Sequence, residues 1–152
     1  MSNFFELLEQ QRSVLLKKTE HLTTDQYNLV PPGFNNNIIW NMGHVLIISE
    51  SLLYSNISFE IPIHEFDTEG FKKGTKPERP ISDYVISQIR QSMSDTVPLF
   101  RKLLNDAASA SFHMSQSDPL HTLISERNLR FILFHEDMHL TKIDRLLLAS
   151  QQ

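Results

Sequence analysis

The chain has 152 residues, the usual length of one domain, so we expect a single domain over residues 1–152. Its formal net charge of −4 argues against a nucleic-acid-binding surface, which would need a basic patch. No run approaches the roughly 20 apolar residues of a membrane helix, so no membrane partner is expected. The absence of cysteine excludes disulfides, a thiol nucleophile and cysteine zinc ligands. The first residues lack the basic segment of a signal peptide, and we expect a cytoplasmic protein.

Hydrophobic spacing predicts four long helices and no strand. Apolar residues recur at steps of three and four over residues 3–21, 38–55 and 82–104, and again from between Thr122 and Ser125 to about 148. Asn37 is a suitable N-cap for the second of these helices. One short additional turn is predicted to start at residues 23–26, before Pro31-Pro32-Gly33 ends any helix. The fold class expected is an all-α bundle.

Residues 56–80 are predicted to form a long crossover connection between the second and third helices. Prolines and glycines interrupt this stretch, which leaves room for one turn around residues 67–73. Its apolar residues favour a packed connection over a disordered one (Phe59, Ile61, Ile63 and Phe66). Pro98 is expected to kink or break the third helix, and residues 105–118 are expected to form a second connection.

Three histidines form a candidate metal site. His135 and His139 are four residues apart in a helical segment, so both lie on one helix face. His44, on the largely apolar second helix, is the best candidate for a third ligand, with Asn41 and Ser51 on the same face. Neutral imidazoles suit divalent Zn, Ni or Fe. Three protein ligands with an open fourth position are the arrangement of a catalytic metal site.

The segment His135-Glu136-Asp137-Met138-His139 also matches the H-E-x-x-H pattern of zinc proteases. Glu136 is therefore a candidate catalytic base, or a partner that orients one imidazole. Two interpretations without a metal compete with this one. Histidine pairs at this spacing occur by chance in many helices, and a single histidine such as His44 is more often an ordinary core residue. The remaining histidines are expected to be solvated, with His64 as a candidate lid residue (His21, His64, His113 and His121).

Two motifs give the chain a resemblance to a known family. Residues 37–44, Asn-Ile-Ile-Trp-Asn-Met-Gly-His, preceded by Pro31-Pro32-Gly33, resemble the second-helix signature of the DinB-like (YfiT-like) proteins. Residues 134–139, Phe-His-Glu-Asp-Met-His, resemble their last-helix motif. The resemblance implies an up-down-down-up four-helix bundle with a divalent metal held by three histidines, here His44, His135 and His139.

The resemblance also implies candidate functions. Characterised relatives include metal-dependent transferases that use low-molecular-weight thiols, and many members form dimers. The first hypothesis is therefore a divalent-metal-dependent transferase with a thiol cosubstrate, or a hydrolase, acting on a small molecule as a homodimer. The second is a non-catalytic, stress-related bundle that binds a small molecule or a partner. Relatives often continue past the last histidine with Gly and Gln, whereas this chain has Leu140-Thr141-Lys142, so details of their substrate pocket do not transfer.

Overall fold

The structure, a computed structural model, describes residues 3–54, 64–110 and 125–150, without the side chains of 107–110. Every regular element in these ranges is helical, as predicted. The helices are α1 (Phe4–Thr19), α2 (Thr24–Asn28), α3 (Ile38–Tyr54), α4 (Asp83–Ala110) and α5 (Glu126–Ala149), with a 3₁₀ turn at Glu69–Phe71. Among the described helices, none combines the length and the apolar run that crossing a membrane requires.

Polar side chains fix where three of the helices begin. The side chain of Asn37 accepts a hydrogen bond from the backbone N–H of Trp40, which confirms Asn37 as the N-cap of α3. Thr23 and Gln26 form a reciprocal capping box at the start of α2. Ser125 caps α5 by accepting from the backbone N–H of Asn128. The predicted turn near residues 67–73 is also confirmed, as the 3₁₀ turn.

The sequence-based prediction for the end of α4 was wrong, because the helix continues to Ala110 instead of ending at Leu104. Pro98, which was predicted to kink or break the helix, does not break it. Val97 and Phe100 are completely buried on either side of the proline, so packing offsets the hydrogen bond that proline cannot donate. Beyond Leu104, alanines and a Lys102–Asp106 pair one turn apart favour further helix. Residues 111–118 of the predicted connection lie outside the described residues.

Contacts between the helices establish their directions. Gln11 bonds Leu133, and Lys18, further along α1, bonds Asp144, further along α5, so α1 and α5 are parallel. Arg101 pairs with Glu9 and Arg90 with Leu16, so α4 runs antiparallel to α1. Contacts of Thr96 with Glu50 and of Phe100 with Tyr54 make α3 and α4 parallel. The topology is therefore up-down-down-up, and the parallel α3–α4 pair needs a long crossover connection.

The bundle interior has two apolar clusters separated by polar residues. One cluster includes Leu15, Leu46, Met93 and Ile143. The other includes Leu8, Leu53, Val97 and Ile132. Between these levels lie five buried polar side chains, which we call the polar layer (Arg12, Ser49, Glu50, Thr96 and Glu136). Buried polar groups are stable only when they are hydrogen-bonded, and the members of this layer bond one another.

Candidate metal centre

The fold brings the three predicted histidines together. His44 lies on α3, and His135 and His139 lie one turn apart on the adjacent helix α5. One ring nitrogen of each is within 4.8 Å of the others, and all three side chains are buried. Ring centroids are 4.5–5.1 Å apart, so the imidazoles surround a common point without stacking on one another. Among the described residues, His44, His135 and His139 form a group of side chains close enough together to bind one metal ion.

Hydrogen bonds orient two of the three imidazoles. The Nδ1–H of His44 donates to the carbonyl oxygen of Phe71 at 2.6 Å. The Nδ1–H of His139 donates to Oδ1 of Asn41 at 2.8 Å, and the amide nitrogen of Asn41 donates to Asn37, which sets the orientation of the amide. Both rings therefore have an unprotonated Nε2 when neutral. Metal-binding histidines are usually held in this way by a carbonyl or carboxylate acceptor at the other nitrogen.

His135 completes the cluster differently. Its Nδ1 is buried and has no hydrogen-bond partner in the described part of the chain. An imidazole buried without compensating bonds costs free energy, and coordination of a metal is one use for such a ring. Phe131 stacks against this ring at 5.3 Å, and Trp40 stacks against His44 at 4.8 Å. The donor set and its aromatic surroundings therefore fit a divalent metal.

Burial keeps the three imidazoles neutral near pH 7. Loss of hydration, together with smaller effects of the neighbouring His44 and Lys142, lowers the pKa of His135 to about 4. The same loss, together with His135 and Lys142, lowers the pKa of His139 to about 3. Burial also lowers the pKa of His44, although its bond to Phe71 acts in the opposite direction. A neutral imidazole has the lone pair that a metal requires, so the cluster does not need to lose protons before binding.

Gly43 allows the Phe71 carbonyl to reach His44. A Cβ atom at position 43 would lie 2.6 Å from Cε1 of the Phe71 ring, closer than any real contact allows. Phe71 is buried against α3 at this point. The indole N–H of Trp40 donates to the carbonyl of the preceding residue, Gly70. The connection between α3 and α4 is therefore packed at the three-histidine cluster, as predicted, with Phe66 partly buried against the core. Phe59, Ile61 and Ile63 lie outside the described residues.

Comparison with known proteins agrees with this geometry. A profile of the DinB superfamily matches residues 7–143 and so includes the whole three-histidine cluster. The chain belongs to the DinB superfamily. No curated protein and no solved structure matches the chain. The superfamily predicted from the two histidine motifs and the all-α bundle predicted from hydrophobic spacing are thus confirmed.

In this DinB-superfamily protein, the carboxylate of Glu136 is hydrogen-bonded to α1 and α3 instead of to the three imidazoles. Its Oε1 accepts from Nε and Nη2 of Arg12 at 3.1 and 2.8 Å and from Oγ of Ser49 at 2.9 Å. The ion pair is buried, with both side chains 2% exposed. The neighbouring Asp137 is exposed. The acceptors that orient the imidazoles are instead the carbonyl of Phe71 and the amide of Asn41.

Other expectations for polar residues had mixed outcomes. His21 is exposed, as predicted, whereas His113 and His121 lie outside the described residues. The prediction that His64 is solvated was wrong, because its side chain is 7% exposed and bonds Glu50. Ser51 is exposed and does not share the buried face of His44.

The burial of Arg12 and its pairing with Glu136 were not predicted, although the sequence contains a signal for them. Arg12 follows Leu8 by four residues and precedes Leu15 by three, so it lies within the buried stripe of α1. A charged residue in such a stripe needs a buried partner, and Glu136 is that partner. The role of the Phe71 carbonyl could not be predicted in this way. Every residue type has a backbone carbonyl, and only the fold determines which one lies beside His44.

Proposed function

We propose that this protein is a divalent-metal-dependent transferase that uses a low-molecular-weight thiol as cosubstrate and acts on a small molecule. The observation that carries the proposal is the convergence of the buried side chains of His44, His135 and His139 from two helices. Membership of the DinB superfamily supports it. When bound, a divalent metal held by three neutral ligands would stabilise a coordinated thiol as its thiolate.

Transfer of a thiol fits the site better than hydrolysis. A metal lowers the pKa of a bound water only to about 7, so a hydrolase gains from a general base that takes the proton from that water. Glu136, the carboxylate next to His135, already accepts three hydrogen bonds through one oxygen, two of them from a buried guanidinium. These bonds make Glu136 a structural partner of Arg12 on α1 and Ser49 on α3. A thiol is much more acidic than water, so a thiol bound to the metal would release its proton to solvent without such a base. The chain itself contains no cysteine to compete for the metal.

The hydrophobic side chains at the cluster would limit the access of water. Trp40 covers one face of His44, and it is buried and hydrogen-bonded to the α3–α4 connection. Phe131 covers His135 but is nearly half exposed, so this side of the cluster is nearer to solvent. A substrate would therefore approach along the Phe131 side. The homodimer expected from the family resemblance and the cytoplasmic location stay predictions.

Cobalt substitution followed by thiol addition tests the proposal. We expect Co²⁺-loaded protein to gain a sulfur-to-cobalt charge-transfer absorption band on addition of a small thiol such as cysteine or 2-mercaptoethanol. His44→Ala should show neither the band nor tight cobalt binding, whereas the exposed His21→Ala should behave as wild type. Cobalt bound in the three-histidine site without any thiol band would contradict thiol transfer. It would favour hydrolysis or the non-catalytic binding module.

A further inference from the structure

We infer that His64 is a positioning residue for the metal centre, acting through the segment of residues 64–75 that supplies the Phe71 carbonyl. The inference rests on the proposed function, because it concerns the same metal site. His64 precedes Phe71 by seven residues and does not touch the three-histidine cluster itself. What connects it to His44 is a continuous series of contacts through the partly buried Phe66 and the buried Phe71.

The first contact attaches His64 to the polar layer. Its Nε2–H donates to Oε2 of Glu50 at 2.6 Å, and Glu50 is 1% exposed in the middle of α3. The other oxygen of Glu50 accepts from the hydroxyl of Thr96 on α4 at 2.8 Å. A hydrogen bond to a buried carboxylate is strong, and removing it leaves an acceptor without a partner. This bond therefore fixes the start of the segment against both helices.

Aromatic rings continue from His64 to the metal site. The His64 ring stacks on Phe66 at 4.8 Å, and the Phe66 ring meets that of Phe71 edge to face at 5.9 Å. The ring of Phe71 lies against the backbone of Gly43, and its carbonyl accepts from His44. Ring pairs at these distances have preferred geometries, so displacement of the first ring affects the position of the next.

The far end of the segment is held independently. The hydroxyl of Thr75 bonds the carbonyls of Gly70 and Lys72, on either side of Phe71. Trp40 donates to Gly70 from α3. Phe71 is thus restrained on one side by the bonds of its neighbours, and on the other side by its ring, which His64 supports through Phe66. His64 therefore helps to orient the His44 imidazole, and through it contributes to the affinity of the site for metal.

Zinc affinity of His64 variants tests the assignment. The dissociation constant for Zn²⁺ is measured by competition with a chromophoric chelator in wild type, His64→Ala and His64→Gln. The matched control is Tyr84→Phe, which removes an exposed hydrogen bond between α4 and Glu65 of the same segment. We expect His64→Ala to weaken zinc binding by about tenfold, the lower end of the range for residues that support metal-binding histidines. His64→Gln, which can still donate to Glu50, should recover most of the affinity, and Tyr84→Phe should match wild type.

A second measurement separates positioning from loss of folded protein. At saturating Co²⁺, the visible absorption bands depend on the ligand geometry and not on how much metal-free protein is folded. We expect these bands to shift in His64→Ala and to be unchanged in Tyr84→Phe. Wild type that binds zinc, together with His64→Ala of equal affinity and spectrum, would overturn the role of His64 and leave the metal centre intact. Wild type that binds no metal would overturn both.

Discussion

Replacing Arg12 by methionine should lower the free energy of unfolding by about 3–5 kcal/mol, the usual cost of leaving a buried charge without its partner. Arg12 and Glu136 are both buried in the polar layer, and Arg12 also donates to the carbonyl of Met93 on α4. Methionine fills similar space but leaves the Glu136 carboxylate with Ser49 as its remaining donor among the described residues. Urea unfolding in the presence of a chelator measures this loss without a contribution from bound metal.

A double-mutant cycle shows whether the loss comes from the unpaired charge. Glu136→Gln removes the charge while keeping an acceptor for Ser49, so Arg12→Met combined with Glu136→Gln should be less destabilised than the sum of the single variants. Arg130→Met breaks an arginine–carboxylate pair that is exposed on α5, and it should leave stability unchanged. Additive effects of the two substitutions would show that the buried pair contributes nothing specific to the fold.

Gly43→Ala should destabilise the protein even though alanine is the better helix former. The new methyl group would enter the space of the Phe71 ring, and overpacking of this kind costs about 1–3 kcal/mol. In a Phe71→Ala background the same substitution should become stabilising, by up to about 1 kcal/mol, because the clash is gone and the gain in helix propensity remains. Thermal or urea unfolding of the four proteins gives both differences. The same sign in both backgrounds would show that the close approach of Phe71 to α3 does not limit position 43.

The sequence predicted those features of the site that depend on the spacing of residues along a helix. His135 and His139 are neighbours on any helix because of their spacing, and the apolar circumference of α3 already placed His44 inside the bundle. Asn37 could be recognised as a cap because its role is local. These features depend on residues within one turn of each other, and the structure agrees with them.

The surroundings of the site could not be predicted in the same way. The partners of Glu136 come from α1 and α3, 124 and 87 residues earlier in the chain, so local spacing gave no indication that Arg12 and Ser49 would occupy its carboxylate. His64 lies in a stretch rich in glycine and proline, where solvation was the natural expectation. Only the parallel arrangement of α3 and α4 brings it against Glu50. The helix end at Ala110 was missed because a polar, alanine-containing stretch fits both a helix and a connection.

Metal content is the most direct test of the three-histidine centre. Untagged wild-type protein, His44→Ala, His135→Ala and the exposed control His21→Ala are purified in parallel and analysed by elemental mass spectrometry. We predict close to one divalent metal per chain in wild type and His21→Ala, and loss of that metal in both cluster variants, because His44 and His135 come from different helices of one site. Wild-type protein that remains free of metal after incubation with Zn²⁺, Ni²⁺ and Fe²⁺ would contradict the metal centre and the enzyme proposed from it.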